Sequence, residues 1–177
     1  MFQRLTLVGY RGCGKSTLGP LVARRLGWPF LDADAVLVAR LGLPIAEYFA
    51  SRGEPAFRAA ESAVLMDILA GTAPLVLATG GGAVLAVENR DLLRARGGTV
   101  VYLHAAAALL QARLQLHAGG RPSLSGAGVA EEVPAILARR APLYQAVADV
   151  VVEADQAPGA LADAVVAIVD NFTERRQ

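Results

Sequence analysis

The chain holds a single cysteine, Cys13, so an intrachain disulfide is excluded and a reducing compartment fits. Lysine is equally scarce. Of the 17 basic residues only Lys15 is a lysine, and every other one is arginine. Apolar residues make up 54% of the 177, yet they fall in short blocks. None approaches the roughly 18 uninterrupted apolar residues of a membrane span. Met1 leads directly into a strand-like run, without the charged, apolar and cleavage segments of a signal peptide, so a cytoplasmic location is expected. There is no block of like charge and the net charge is +1, which gives no reason to expect nucleic acid or a membrane surface as partner. With neither repeats nor a dividing linker, residues 1–177 read as one domain.

What is present is an alternation of short apolar runs with longer amphipathic ones, the pattern of βαβ units and a mostly parallel sheet. Strands are expected at Leu5–Gly9, Pro29–Asp32, Leu75–Ala78, Thr99–Leu103 and Asp149–Val152. Helices are expected near Lys15–Leu26, Ala35–Leu41, Ile45–Ala50, Pro55–Leu69, Val87–Arg96, Ala106–Leu116, Val129–Ala146 and Pro158–Asn171, with a frayed tail from Thr173. Residues 117–128, HAGGRPSLSGAG, are glycine-rich and interrupt that rhythm as a mobile loop.

Residues 9–16 read GYRGCGKS, a complete G-x-x-x-x-G-K-[ST] motif between an expected strand and an expected helix. Gly9, Gly12 and Gly14 permit positive φ and a close approach of backbone N–H groups to phosphate oxygens. The helix that follows points its N-terminus at the same anion. Lys15 supplies a compact charge for the outer phosphates, and the Ser16 hydroxyl is a ligand for Mg²⁺. A guanine-reading Asn-Lys-x-Asp motif is excluded because Lys15 is the sole lysine. The LSGAG run at 124–128 resembles a transport-ATPase signature, but no apolar strand ending in Asp-Glu follows it.

Three further features lie near the expected carboxyl ends of strands, where open α/β sheets bind ligands. Asp32 and Asp34 flank Ala33, and alternation in an extended segment sets both carboxylates on one side. One can serve a metal or its waters and the other can accept from a hydroxyl nucleophile, although Asp34 can equally cap the next helix. Thr79-Gly80-Gly81-Gly82 removes side chains where a ligand would meet backbone, or forms a plain flexible turn. Arg58 and Glu61 share a helix face. With Arg140 and Arg121 they suggest an acceptor bearing a carboxylate, although each arginine taken singly fits a solvated surface. Cys13 reads either as a thiol activated near a helix N-terminus or as a small residue filling a tight loop.

Together GYRGCGKST at 9–17, FLDAD at 30–34, FR-x-x-E at 57–61, TGGG at 79–82, RPSL at 121–124 and R-x-PLY at 140–144 resemble the shikimate kinase family, which is similar to the nucleoside monophosphate kinases. The resemblance runs from about Leu5 to Val152. It implies a three-layer α/β/α P-loop kinase with a five-stranded parallel sheet in the order 2-3-1-4-5. A substrate-binding helical region at about 33–61 and a lid at about 117–128 go with that fold. It also implies a cytoplasmic monomer that uses Mg²⁺ and moves the γ-phosphate of ATP to the 3-hydroxyl of shikimate, a step of chorismate and aromatic amino-acid biosynthesis. By the same resemblance Gly12, Cys13, Gly14, Lys15, Ser16 and Thr17 contact ATP, and Arg113 is the nearest candidate to stack on adenine. Ser16 holds the metal, with Asp32 acting through water. Asp34 holds and deprotonates the attacking hydroxyl. Arg58, Glu61, Gly80, Gly81, Gly82 and Arg140 form the acceptor pocket, and Arg121 swings over the γ-phosphate. The chain departs from the family pattern at Ser123, where an apolar residue is usual, and in the spacing of Arg113 from Arg121. Arg139 sits beside Arg140, and the register with Pro142-Leu143-Tyr144 selects Arg140. A gluconate kinase, a nucleoside monophosphate kinase and a nucleotide-binding regulatory module are the competing readings.

Overall fold

The structure is a computed structural model that describes residues 3–116 and 130–174. Five strands, β1 (Arg4–Val8), β2 (Phe30–Asp32), β3 (Leu75–Ala78), β4 (Thr99–His104) and β5 (Val150–Glu153), form one sheet in the order β2-β3-β1-β4-β5, with every neighbouring pair parallel. This is the order implied by the resemblance. The central strands β1 and β3 are buried at every position, as expected of strands covered on both faces. At the edge β5 alternates between half-buried and exposed.

The helices are α1 (Lys15–Leu26), α2 (Ala33–Leu41), α3 (Ile45–Ala70), α4 (Val87–Arg96), α5 (Ala107–Leu116), α6 (Val133–Val147) and α7 (Pro158–Glu174), with a 3₁₀ turn at Ala83–Leu85. α1 packs on α7, while α3, α4 and α6 pack together, the division that right-handed crossovers produce in this strand order. The main core runs through Leu5, Leu7, Val22, Leu77, Val101 and Val165. A second small cluster, Leu37, Phe57 and Val64, fastens α2 to α3 beside the sheet.

Three elements differ from the sequence expectation. The helices expected at Ile45–Ala50 and Pro55–Leu69 join into α3, broken at Gly53, whose φ of 78° and ψ of 170° are not helical. Pro55 follows the break, where its missing N–H falls in a first turn. The helix expected from Val129 begins at Val133. The terminal helix continues through Thr173 to Glu174 rather than ending at Asn171. The glycine-rich segment at 117–128 lies outside the described residues.

One buried cation ties the far end of the sheet together. Arg4, at the start of β1, donates to the carbonyls of Leu69 (3.3 Å), Gly71 (2.8 Å) and Arg96 (2.7 Å). These carbonyls lie at the C-terminal ends of α3 and α4, where helices leave acceptors unpaired and partial negative charge collects. Replacing Arg4 with Met leaves these carbonyls, buried at Leu69 and partly buried at Gly71 and Arg96, without their donor, so a loss of about 2 kcal/mol in stability is expected, with the urea midpoint falling and the slope unchanged. A midpoint within experimental error of the parent would show that the guanidinium is not needed there.

Candidate active site

The P-loop joins β1 to α1. Gly9, Gly12 and Gly14 have φ of 146°, 80° and 108°, values that L side chains rarely adopt, which explains glycine at those three places. Lys15 lies along the loop, its Nζ donating to the carbonyls of Gly9 (2.7 Å) and Tyr10 (3.0 Å) and reaching Cys13 Sγ at 3.5 Å. The cation thereby braces the curve of the backbone that forms the cradle. Cys13 is 1% exposed and its sulfur fills space against Gly9, which matches the reading of a small residue in a tight loop.

The carboxylates of β2 correct one expectation. Asp32 and Asp34 do not alternate along an extended segment, because α2 begins at Ala33. Asp32 is the cap of that helix, its Oδ1 accepting from the N–H groups of Asp34 (2.9 Å) and Ala35 (3.4 Å). Its Oδ2 accepts from Ser16 Oγ at 2.6 Å. The capping role that Asp34 was free to take therefore belongs to Asp32, and Asp34 stands in the first helical turn.

At the end of β3 the glycines are there for space. None of Gly80, Gly81 and Gly82 has a positive φ. A Cβ on Gly80 would overlap the Glu61 carboxylate and stand 2.8 Å from Asp34 Oδ1. One on Gly82 would overlap the Arg58 guanidinium, and one on Gly81 would come within 3.0 Å of the Arg11 backbone nitrogen. Four elements thus converge on bare backbone. Arg58 donates to Glu61 Oε2 at 2.8 Å and, through Nε and Nη2, to Glu54 Oε1 at 3.2 and 3.1 Å. Arg140, on α6, donates to the Gly81 carbonyl at 3.3 Å, and the Tyr144 hydroxyl donates to the same oxygen. Arg139 is exposed, so Arg140 is the arginine that faces inward.

Two cavities result. The larger, about 630 Å³, is lined by Gly12–Leu18 of the P-loop, by Arg113 and Leu114, and by Ala154, Gln156, Pro158 and Leu161. The smaller is lined by Arg58, Glu61, Gly82 and Arg140, with Ile45, Phe49 and Phe57 as its apolar side. Arg11, Asp34 and Gly81 line both. A carboxylate therefore stands on the wall between a phosphate cradle and a pocket lined by Arg11, Arg58 and Arg140. Arg113 holds the rear of the P-loop, donating to the carbonyls of Cys13 (3.2 Å) and Ala154 (2.9 Å). Arg121 lies outside the described residues.

The shikimate kinase family profile matches residues 11–170. The chain is 46% identical over 167 residues to a shikimate kinase 2 of Sodalis glossinidius, covering 93% of this chain and 94% of that one. The chain belongs to the shikimate kinase family. It is also 47% identical over 151 residues to a shikimate kinase of Halorhodospira halophila, covering 85% of this chain and 84% of the other. A shikimate kinase from Acinetobacter baumannii solved with shikimate superposes with a TM-score of 0.89 at 35% identity, over 97% of this chain and 94% of that one. A gluconokinase from Sinorhizobium meliloti matches at a TM-score of 0.59 and 21% identity, over 97% of this chain and 94% of that one, a likeness of fold alone.

Several residues of this shikimate kinase site escaped the sequence reading. Glu54 was within reach of it, four positions before Arg58 on one helix. Tyr144 stood in a quoted motif without a role, and Arg11 and Glu132 gave no local signal. Burial raises the pKa of Glu61 despite the lowering influence of Arg58. An acid with a raised folded pKa binds its proton better when folded. Its contribution to stability is therefore complete below the ordinary glutamate range and declines as pH rises through the folded value. Glu61→Gln removes that dependence, so the stability of the parent relative to the variant should fall as pH rises above the ordinary glutamate range. Urea midpoints through that pH interval check this, and a difference that rises with pH would contradict it.

Proposed function

We propose that the chain transfers the γ-phosphate of ATP to the 3-hydroxyl of shikimate, giving shikimate 3-phosphate and ADP. The observation that carries this reading is Asp34 on the wall shared by the phosphate cradle and the arginine-bearing pocket. ATP is read into the larger cavity, with Gly12, Cys13, Gly14, Lys15, Ser16 and Thr17 around its phosphates and Arg113 and Leu114 toward the nucleoside. Shikimate is read into the smaller one, its carboxylate on Arg58 and Arg140 and its ring against Phe49 and Phe57. The guanidinium fork suits a carboxylate, and the buried Glu61 holds the Arg58 fork in place.

The acceptor oxygen attacks the γ-phosphorus in line while the bond from that phosphorus to the bridging oxygen breaks, and ADP leaves with the bond's electrons. Asp34 accepts the hydroxyl proton. Lys15 offsets charge on the outer phosphates as they separate. Ser16 and Asp32 suit Mg²⁺, being hard oxygen donors beside the cradle, and the ion would neutralise phosphate charge there with Asp32 acting through water. The 2.6 Å bond turns the Ser16 proton toward Asp32 and leaves the hydroxyl lone pairs toward the cavity. Among the described residues no group of three His, Cys, Asp or Glu side chains gathers as a metal cage, in keeping with an ion bound largely by phosphates and water.

Arg121 is assigned to the γ-phosphate and residues 117–128 to a lid on the strength of their motif, within a single domain whose region 33–61 serves the acceptor. The chain is read as a monomer because one chain supplies both cavities, and as cytoplasmic because its one thiol needs no oxidising compartment. Among the described residues no helix is long and apolar enough to cross a membrane.

A coupled ADP-release assay with MgATP tests the reading against shikimate, gluconate, nucleoside monophosphates and no acceptor. Release is expected with shikimate alone, and release with another acceptor, or with none, overturns the acceptor assignment. Lys15→Ala should retain less than about a tenth of a kcat in the kinase range of 1–100 s⁻¹. Asp34→Asn should keep ATP affinity within twofold and lower kcat by about two orders of magnitude. An unchanged kcat removes Asp34 from the role of base.

A further inference from the structure

The wall between the cavities carries a cation to which the transfer described above assigns no role. Arg11, third in the P-loop motif, lines both cavities and is buried. Its guanidinium is ion-paired with the carboxylate of Glu132, also buried, in the residue just before α6. Arg11 lies 5.8 Å from the centroid of the Tyr10 ring, and Arg140 lies 5.9 Å from the same centroid. Two guanidinium groups are therefore held on one buried aromatic ring, and both border the smaller cavity.

The three arginines of that cavity differ in what already neutralises them. Arg58 is engaged by Glu61 and Glu54, and Arg11 by Glu132. The hydrogen-bond partners of Arg140 among the described residues, the Gly81 carbonyl and the Tyr144 hydroxyl, are uncharged. We propose that Glu132 is a specificity-determining residue: by holding Arg11 in a buried pair it limits the acceptor pocket to a single carboxylate and keeps the shared wall from binding dianions. The inference rests on the acceptor pocket proposed above.

The physical reason is charge at short range in a poorly solvated site. An unpaired guanidinium lining the same cavity as Arg140 would present a second positive charge to any dianion there, and charge-assisted bonds from guanidinium forks suit sulfate or a phosphate ester. Such a wall would take up anions in place of the acceptor and would hold a phosphorylated product after transfer. Paired with Glu132, Arg11 keeps its packing on Tyr10 while its charge is cancelled within a few ångströms. Glu132 thus acts through Arg11, as a positioning residue with no contact to the reacting atoms.

Titration calorimetry with sulfate as the probe tests this, with the P-loop filled by MgATP carrying an imido bridge between its outer phosphates. Glu132→Gln should bind sulfate about tenfold tighter than the parent, and the double variant Arg11→Gln/Glu132→Gln should return to the parent value. A single variant within twofold of the parent, or a gain that persists in the double variant, overturns the proposal. If Glu132→Gln does not fold, Arg11→Gln gives the converse test, because it leaves a buried carboxylate by the acceptor. Shikimate affinity should then fall about tenfold more than affinity for the nucleotide analogue. Equal weakening of both would mean that the pair merely braces the P-loop, and the proposal would be lost. Shikimate titrated into the parent protein reports separately on the acceptor pocket, so failure of that reading is told apart from failure of this one.

Discussion

The site depends on the absence of side chains at the end of one central strand. Gly80, Gly81 and Gly82 follow β3, beside the P-loop strand in the middle of the sheet, and have ordinary backbone angles. What they provide is proximity. Asp34 from α2, Glu61 and Arg58 from α3, Arg140 and Tyr144 from α6 and the backbone of Arg11 from the P-loop all come to rest against them. A single methyl group at Gly80 or Gly82 would displace a charged group, because each ideal Cβ position is already taken by a carboxylate or a guanidinium. The parallel sheet supplies the rigid base, and the glycines let three helices meet at its carboxyl edge.

Charge is then managed by pairing. Arg58 is held by two carboxylates, Arg11 by one, and Arg4 at the other end of the sheet by helix-terminal carbonyls. Desolvating an unpaired ion is costly, so each buried cation comes with its acceptors. In the smaller cavity Arg140 differs in that its hydrogen-bond partners among the described residues, the Gly81 carbonyl and the Tyr144 hydroxyl, are uncharged. Asp34 lines both the cavity that contains Arg140 and the cavity that contains the P-loop cation Lys15.

Contact distance along the chain separates what was legible in the sequence from what was not. The P-loop was readable in full because its glycines, lysine and serine act within eight residues of backbone. Arg58 with Glu61 was readable from helical spacing, and the strand order came from the family resemblance rather than from periodicity. Asp32 and Asp34 were singled out from the sequence, but their placement was wrong. Period-2 alternation was carried one residue too far, into a helix that Asp32 itself caps. The role of the glycines was legible as missing side chains but not as the seat of particular partners, the most distant of which, Arg11 and Tyr144, lie tens of residues away along the chain. The pairing of Arg11 with Glu132 spans 121 residues and leaves no local pattern. Gly53 was legible only as a gap between two helices, because a break with positive φ inside one long helix looks the same in sequence.

The most direct test of the claim that proximity at these glycines makes the site is Gly80→Ala. Since Gly80 has an ordinary φ, alanine introduces no backbone strain, and only the clash with Glu61 and Asp34 remains. The account predicts a folded protein with nucleotide affinity within twofold of the parent and a shikimate KM raised about tenfold or more, as expected when a polar contact set is pushed out of register. A variant with parental shikimate KM and kcat would show that the glycines are no more than a flexible turn, and the account would fail at its centre.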